Sequence, residues 1–361
     1  MKKEEIQELA LQAIIPHMKS GVHMTMGSGK TFLGLQYIDY FYFQNHSIKI
    51  LVVGPNKAIF KAWKDDAEKF NLSHLLPLIT FSTYLSLNKQ DLDYDILLLD
   101  EAHSLKNSSI PYVANHKGKI LGLSGTPPKL DHTERGILMN LYWPIRYTYE
   151  TDDAVEDGIL NDYRIIVHSL ELDKTKTLQK KTKAGKVWYT SEENEYDYWT
   201  KRLNESTSMK ETQIMRVMRM KALMGFPSKE KLAKKLLGEI QGKTIVFANT
   251  IEQCRRLCTY TFDSKNPDSE SNLHNFSEGK IRVLGCVLQL SQGINVKNLT
   301  HGIVLHSYGN ERKLLQRFGR LCRLDPGETA ELHILCYTNS IDKVWCKNAL
   351  EDLDQTKITW L

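Results

Sequence analysis

The chain has 361 residues, of which 41% are hydrophobic and 25% are charged, and its formal net charge is +5. This length allows two domains of ordinary size, and the composition is that of a globular protein rather than a disordered one. No stretch approaches the ~20 apolar residues of a membrane span, and the charged N-terminal segment is too interrupted for a signal peptide. We therefore expect a cytoplasmic protein that does not use a membrane.

The six cysteines form no C-x-x-C pair. Cys254 and Cys258 lie four positions apart, and no histidine stands at metal-ligand spacing from them. This pattern predicts reduced thiols and no structural zinc site.

The first part of the chain alternates short apolar runs with helical patterns. The predicted strands are Gly21–Met26, Ile48–Val53, Asp95–Leu99 and Lys119–Leu123, and the predicted helices are Lys30–Phe43 and Ala58–Phe70. Such alternation indicates a parallel sheet covered on both faces, in which ligands bind at the carboxyl ends of the strands. We expect this first lobe to span residues 1–149.

A glycine-rich turn follows the first strand and opens a helix. Its residues are Gly27, Ser28, Gly29, Lys30 and Thr31. Glycines let backbone amides approach phosphate oxygens, and a helix N-terminus favours negative charge. Lys30 is expected to reach the β- and γ-phosphates of ATP, and the Thr31 hydroxyl to bind magnesium. The full phosphate-loop pattern has glycine or alanine where Met24 stands, so the match is to its core.

Two carboxylates follow a buried strand seventy residues later. Asp100 is expected to hold magnesium, and Glu101 to orient and polarise the attacking water. Phosphoryl transfer needs such groups, because its barrier falls mainly through positioning and charge neutralisation.

The sequence changes character after Tyr149. Residues 150–157 are acidic and predict an exposed connector, after which a second α/β lobe is expected over 158–361. Its predicted strands are Tyr163–Leu172, Thr244–Ala248, Arg282–Val287, Gly302–His306 and Glu331–Tyr337. Arg317, Arg320 and Arg323 recur every third residue, a spacing that puts them on a similar face of a helix. Arginines of this kind stabilise charge on a transferring phosphoryl group.

A basic segment stands near the start of the second lobe. Lys174–Lys186 contains six lysines and no acidic residue, and an Ala184-Gly185 turn signal precedes Trp188. We predict a hairpin or loop near 174–190. Its lysines, among them Lys180, Lys181 and Lys183, could bind phosphates while Trp188 stacks on a base. A solvated loop that aids solubility, with Trp188 packing at its root, would have the same sequence.

Together these strings resemble the superfamily 2 helicases and translocases of the DEAH, Swi/Snf and phage UvsW-like branches. Further matching segments are Val53–Lys57 with Trp63, Ile79–Tyr84, Ile245–Phe247 and Gln289–Ile294. The run Asp100–Asn107 is the most Swi/Snf-like. The resemblance spans nearly the whole chain. It implies two tandem RecA-like parallel-sheet lobes with the ATP site in the cleft between them, and a phage or mobile-element origin.

The resemblance also implies residue roles. Gln12, eighteen residues before Lys30, would contact adenine, and Arg320 and Arg323 would contact the γ-phosphate. The residues implied to link the nucleotide state to lobe movement are Gln316, His103, Ser124 and Thr126. An ordinary turn before Pro127 would have the same sequence at Ser124 and Thr126. The residues implied to contact nucleic acid, each of which could equally be a capping or turn residue, are Lys57, Ser82, Thr83, Asn249 and Thr250.

The expected function is an ATP-dependent DNA helicase or translocase that uses ATP and magnesium and acts on single-stranded, forked or branched DNA. RNA is the less favoured track. We expect a monomer, with room for a partner that supplies targeting. Two alternatives stay open: a double-strand DNA translocase without strand separation, and a nucleic-acid binding module that ATP switches with little turnover.

Overall fold

The computed structural model describes residues 1–25, 27–181, 185–287, 296, 298–306, 328–351 and 353–361. These residues form two compact units, which divide between Asn161 and Asp162. None of the helices in these ranges is long and apolar enough to cross a membrane.

The first unit is built on a six-stranded sheet. Its strands are β1 (Lys19–Met24), β2 (Ile50–Gly54), β3 (Ile79–Thr83), β4 (Ile96–Asp100), β5 (Lys119–Ser124) and β6 (Ile145–Tyr149). Its helices are α1 (Lys3–Ile14), α2 (Lys30–Tyr42), α3 (Ala58–Lys69), α4 (Ile110–Asn115), α5 (Glu134–Tyr142) and α6 (Thr151–Glu156). All strand pairs are parallel, in the order β3-β2-β4-β5-β1-β6. The carboxyl ends of β4, β5 and β1 therefore lie side by side.

Close packing of one tryptophan fixes the end of α5 on this sheet. Trp143 is 1% exposed and covers a glycine on each of two neighbouring strands. A Cβ atom at Gly21 would lie 2.4 Å from the Trp143 carbonyl oxygen, and one at Gly122 would lie 2.7 Å from Trp143 Cβ. Glycine is needed at both positions because a larger residue would push the indole off β1 and β5.

The second unit contains a seven-stranded parallel sheet and a separate hairpin. Its strands are β7 (Tyr163–Leu170), β8 (Leu178–Lys181), β9 (Val187–Thr190), β10 (Thr244–Ala248), β11 (Thr261–Phe262), β12 (Val283–Val287), β13 (His301–Val304), β14 (Ala330–Tyr337) and β15 (Ile358–Trp360). Its helices are α7 (Glu192–Asn204), α8 (Met209–Gly225), α9 (Pro227–Glu239), α10 (Ile251–Leu257), α11 (Ser269–Ser277) and α12 (Ile341–Leu350). The 3₁₀ helices within the described ranges of the two units are Ser73–Leu78, Tyr84–Lys89, Ala102–Ser104, Asn107–Ser109 and Gln355–Lys357.

The order of the second sheet is β11-β12-β10-β13-β14-β7-β15. Two parallel-sheet α/β units confirm the predicted fold class. Residues 150–157, expected as an exposed connector, contain α6 and belong to the first unit. Glu150 and Asp153 start this helix with reciprocal backbone hydrogen bonds, which explains why an acidic stretch is helical here.

The basic segment forms an antiparallel hairpin, β8 with β9, in which Lys180 pairs with Trp188 and Lys181 pairs with Val187. Leu178 and Lys180 are half-buried, whereas Gln179 and Lys181 are exposed. The hairpin thus has an inner face, on which Lys180 contacts Glu195 of α7 at 3.0 Å, and an outer face that carries Lys181.

A buried ion pair joins helices α9 and α12 of the second unit. The side chains of Lys229 and Asp342 are 1% and 0% exposed. Lys229 Nζ also donates to the Leu305 carbonyl at 2.8 Å and contacts His306 Nδ1 at 2.9 Å, and the Tyr337 N–H donates to Asp342 at 2.9 Å. Burial alone would raise the pKa of Asp342, but the Lys229 charge and His306 hold it well below its usual range.

Replacement of Lys229 by methionine tests this ion pair. Lys229→Met leaves the Asp342 carboxylate buried without a counter-ion, so we expect the free energy of unfolding to fall by about 3–5 kcal/mol in urea denaturation. The double variant Lys229→Met/Asp342→Leu removes both charges and should recover most of the loss. Equal instability of the single and double variants would contradict this account.

Candidate active site

The glycine-rich turn between β1 and α2 has the backbone of a phosphate loop. Gly27 and Gly29 have φ values of 90° and 93°, a region that glycine enters without steric cost. Gly29 is the N-cap of α2 and offers no side-chain cap, so the first N–H groups of this 13-residue helix are available to an anion. The Ser28 hydroxyl donates to the Thr25 carbonyl at 2.7 Å and stabilises the turn. These features fit a nucleotide phosphate.

Lys30 points back into the loop that precedes it. Its Nζ donates to the carbonyl oxygens of Met24 at 2.9 Å and Thr25 at 3.0 Å. Met24, where the full pattern has glycine or alanine, is the last residue of β1 and is 0% exposed. No glycine is needed there because the chain is still an extended strand, and the left-handed turns occur at Gly27 and Gly29. Thr31, in the first turn of α2, is half-buried.

Asp100 ends β4 and is buried at 5% exposure. Trp63 Nε1 donates to its Oδ2 at 2.8 Å, and the Glu101 N–H donates to its Oδ1 at 2.9 Å. Burial raises the pKa of Asp100, while the Trp63 hydrogen bond, the Lys30 charge and the Glu101 N–H act to lower it. Carboxylates held in this way are suited to Mg²⁺, which prefers oxygen ligands.

Glu101 begins a chain of polar contacts across two strand ends. Its backbone has φ 51° and ψ 52°, an uncommon conformation for a residue other than glycine, and such strain clusters at functional sites. His103 Nδ1 lies 3.4 Å from Glu101 Oε2 and 3.0 Å from Ser124 Oγ, which in turn accepts the Thr126 N–H at 3.2 Å. The structure thus brings together Glu101 and three of the residues implied to couple nucleotide state to movement.

The structure places two glutamines of α1 in different surroundings. Gln12 is exposed, and its amide donates to Glu8 Oε1 at 3.4 Å. Gln7 instead is 1% exposed and donates to the carbonyls of Ser28 at 3.3 Å and Gly29 at 3.4 Å. A sequence signal existed, because Gln7 shares the buried face of α1 that Ala10 and Ile14 define, three and seven positions on.

Two further side chains at this site have no role that the sequence assigns. Trp63 belongs to one of the segments that match the family, without a stated task. Tyr84 follows β3, and its hydroxyl donates to the Asp100 carbonyl at 3.0 Å. Burial raises the pKa of Tyr84 well above its usual value, and the charges of Asp100 and Glu101 raise it further, so this hydroxyl keeps its proton. Such contacts join residues that are distant in sequence, so no local spacing predicts them.

The expected nucleic-acid residues of the first unit lie near the ends of β2 and β3. Lys57 is exposed at the N-cap of α3, and Thr83 pairs with Gly54 at the same sheet edge. Ser82 is 5% exposed, which leaves its side chain little contact with solvent. The Lys57 side chain is therefore more exposed to solvent than that of Ser82.

The expected nucleic-acid residues of the second unit, Asn249 and Thr250, follow β10 and begin α10. The Thr250 hydroxyl caps the helix by accepting the Gln253 N–H at 3.1 Å, and the Asn249 N–H donates to Gln253 Oε1 at 3.0 Å. Several predicted residues lie outside the described ranges: Lys183, Gln289–Ile294, Gln316, Arg317, Arg320 and Arg323.

The phosphate loop and the neighbouring carboxylates define a nucleotide-binding protein with two parallel-sheet units. Residues 1–129 match the family model described as "Type III restriction enzyme, res subunit", and residues 228–325 match "Helicase conserved C-terminal domain". The chain belongs to the superfamily 2 helicases, a family of ATP-hydrolysing helicases and translocases.

Individual relatives are distant. A protein of Sulfurisphaera tokodaii named "DNA 3'-5' translocase XPB2" is 21% identical, over 92% of this chain and 81% of its own length. The structure titled "ATP-dependent Type ISP restriction-modification enzyme LlaBIII bound to DNA" superposes with a TM-score of 0.65 at 14% identity, over 99% of this chain but 31% of that one. The Hef helicase domain of Pyrococcus furiosus superposes with a TM-score of 0.55 at 14% identity, over 94% of this chain and 96% of that one.

The indole of Trp63 offers a test of how Asp100 is held. Trp63→Phe keeps an aromatic ring but removes the N–H donor, so the carboxylate loses the partner that orients it. We expect the magnesium concentration needed for half-maximal ATP hydrolysis to rise by about 10–100-fold, the usual cost of losing such a partner.

Trp143→Phe is the matched control. Trp143 is equally buried in the same unit, and its Nε1 has no hydrogen-bond partner among the described residues. This variant should keep the parent magnesium requirement. If both variants need the same magnesium concentration, the Trp63 hydrogen bond does not orient Asp100.

Proposed function

We propose that the chain is an ATP-driven DNA translocase of the DEAH type. One observation carries the proposal: Lys30, Asp100 and Glu101 lie near the carboxyl ends of β1 and β4, the two strands on either side of β5, where parallel sheets bind ligands. Family membership supports ATP hydrolysis. The name of the S. tokodaii relative, whose match extends over most of the chain, supports DNA as the track.

Each candidate active-site residue of the first unit has a distinct proposed role. Lys30 neutralises charge on the β- and γ-phosphates, and the phosphate-loop amides bind their oxygens. Thr31 and Asp100 would hold magnesium, which supplies further charge neutralisation. Glu101 orients the attacking water. Gln7, whose amide donates to the carbonyls of Ser28 and Gly29, holds the loop, and contact of Gln12 with adenine remains the role that the family resemblance implies.

The second unit is proposed to complete the reaction. Arg320 and Arg323 would contact the γ-phosphate, with Gln316 beside the nucleotide, as the family resemblance implies. His103, whose imidazole contacts both Glu101 and Ser124, is the first-unit residue best placed to pass on a change at the γ-phosphate. Such coupling converts hydrolysis into movement.

DNA is proposed to bind through its phosphates, which gives grip without sequence readout. In the first unit we propose Lys57 and Thr83 as contacts, and in the second unit the backbone near Asn249 and Thr250, since the Thr250 hydroxyl already caps α10. The Swi/Snf-like or UvsW-like branch, a monomeric state and a targeting partner are further parts of this proposal.

Strand separation on forked DNA is the second candidate activity. The β8–β9 hairpin favours it, because a basic element with exposed aromatic side chains can bind at a junction. Stimulation of ATP hydrolysis by single-stranded, duplex and forked DNA and by RNA, measured beside unwinding and triplex displacement, tests the proposal. Triplex displacement without unwinding would support translocation alone, and absence of stimulated hydrolysis would favour an ATP-switched binding module.

Two substitutions separate nucleotide binding from hydrolysis. Lys30→Ala should abolish DNA-stimulated hydrolysis because the phosphates lose their counter-ion. Glu101→Gln should keep ATP binding while turnover collapses, since the shape persists but the water loses its orienting carboxylate. Binding is measured with a fluorescent ATP analogue and turnover by phosphate release.

Exposed residues of the same unit supply the controls. Lys117→Ala and Glu156→Gln make the same chemical changes at solvent-exposed positions and should keep parent activity.

Arg320→Ala and Arg323→Ala should lower the maximal rate by about 10³-fold or more at saturating ATP. A folded Glu101→Gln protein with the parent rate would overturn the assigned role of this residue.

The hairpin lysines divide into two groups that provide a matched comparison. Lys174, itself exposed, lies 3.7 Å from Glu193, and the half-buried Lys180 lies 3.0 Å from Glu195, whereas the exposed Lys176 and Lys181 form no ion pair with another described residue. Lys176→Gln/Lys181→Gln should weaken DNA binding and reduce the slope of log affinity against log salt by about 0.7–0.9 for each phosphate that the variant no longer binds. Lys174→Gln/Lys180→Gln should change both quantities less.

The aromatic part of the hypothesis shifts toward Tyr189. This ring is 58% exposed and lies on the outer face with Lys181, whereas Trp188, 43% exposed, shares the inner face with Lys180. Tyr189→Ala should therefore weaken binding of forked DNA more than Trp188→Ala does. If neither lysine pair changes the affinity or the salt slope, the segment is an ordinary solvated hairpin.

A further inference from the structure

A group of histidines lies at the amino-terminal end of the second sheet, on strands that the nucleotide chemistry does not use. His301 is the first residue of β13, and it pairs with Glu331 of the neighbouring β14. His333 lies two residues after Glu331, so both side chains project from the same face of the sheet. One ligand atom from each of these three residues lies within 4.8 Å of the other two.

We propose that His301, Glu331 and His333 form a binding site for a divalent transition-metal ion, with zinc as the best match. Glu331 Oε2 lies 3.6 Å from His301 Nε2 and 3.8 Å from His333 Nε2. Ligand atoms around a tetrahedral zinc ion are about 3.4 Å apart, given metal–ligand bonds of about 2.0–2.2 Å. The two measured distances exceed this value by only a few tenths of an ångström.

An unpartnered buried atom is the observation that points to a ligand. The His333 side chain is 7% exposed, and its Nε2 has no hydrogen-bond partner among the described residues. A buried polar atom in this state costs free energy unless a partner satisfies it. A metal ion bound between Nε2 and the Glu331 carboxylate would supply that partner.

Neighbouring residues orient each proposed ligand. The Thr300 hydroxyl donates to the Lys243 carbonyl at 3.2 Å, so its oxygen accepts from His301 Nδ1 at 2.8 Å and leaves the Nε2 lone pair of His301 free for a metal. His168 Nε2 lies 3.0 Å from His333 Nδ1, and the tautomer in which His333 donates this hydrogen bond leaves the Nε2 lone pair of His333 for a metal as well.

The carboxylate is held in a similar way. Arg164 Nη1 lies 3.7 Å from Glu331 Oε1, the oxygen that does not face the histidines. Partners of this kind accompany metal ligands in general because they fix ring and carboxylate orientation.

The site would link β13 to β14 near the amino-terminal ends of these strands. A metal ion there stabilises the second unit without touching the reacting atoms. We therefore expect metal removal to lower thermal stability while leaving ATP hydrolysis at low temperature unchanged. Its success or failure is separate from that of the proposed translocase activity.

The experiment is a Zn²⁺ titration of the full chain after treatment with a chelator, read by competition with a chromophoric zinc indicator and by melting temperature. We expect one tight equivalent of Zn²⁺ per chain and a higher melting temperature on binding. Co²⁺ should give the visible absorption typical of four-coordinate nitrogen and oxygen ligands. Glu331→Gln and His301→Gln, both at half-buried positions, should lose the tight equivalent.

Two variants make the test specific. His168→Asn removes the residue that orients His333 without removing a ligand, and should weaken Zn²⁺ affinity by about 10–100-fold. His274→Gln changes an exposed histidine of the same unit and should leave affinity and stoichiometry at parent values. If folded Glu331→Gln and His301→Gln proteins bind Zn²⁺ as the parent does, or the parent binds none, the proposal is wrong.

Discussion

The buried carboxylate of Asp100 is the point on which the organisation of the first unit depends. A carboxylate that is only 5% exposed carries a large desolvation cost, and three groups reduce it: the Trp63 indole and the Glu101 N–H donate hydrogen bonds, and the Lys30 ammonium supplies a nearby positive charge. These groups come from α3, from the end of β4 and from α2. The parallel sheet brings those three elements to the same end of the first unit.

The second unit also buries an acidic side chain, and different residues compensate its charge. Asp342 is fully buried at the start of α12, and Lys229 from α9 compensates its charge together with the Tyr337 N–H. Removal of either partner leaves an uncompensated charge, whereas removal of both need not destabilise the fold. Each unit thus carries a buried acidic group near the carboxyl ends of its strands, where parallel sheets place their functional residues.

The candidate site could be predicted where chemistry lies next to a strand end in sequence. The phosphate loop and Asp100–Glu101 follow β1 and β4 directly, so a local pattern located them. The contact of Gln7 with the loop could not be predicted because it depends on which face of α1 is buried, and spacing to Lys30 alone does not reveal that face. Likewise, the inner and outer faces of the hairpin follow from its pairing register and from Glu195, which the sequence places outside the basic segment.

The histidine group shows the same limit at longer range. Metal sites are recognised from sequence by ligands a few residues apart, and on that basis the cysteines indicated that no zinc site exists. His168 and His333 are separated by 165 positions, yet their ring nitrogens lie 3.0 Å apart because β7 and β14 are neighbours in the sheet. Parallel sheets join distant segments as a rule, since each pair of adjacent strands needs a crossover connection. Ligands supplied by such strands have no characteristic spacing, so a cation site of this kind becomes visible only when the strand order and register are known.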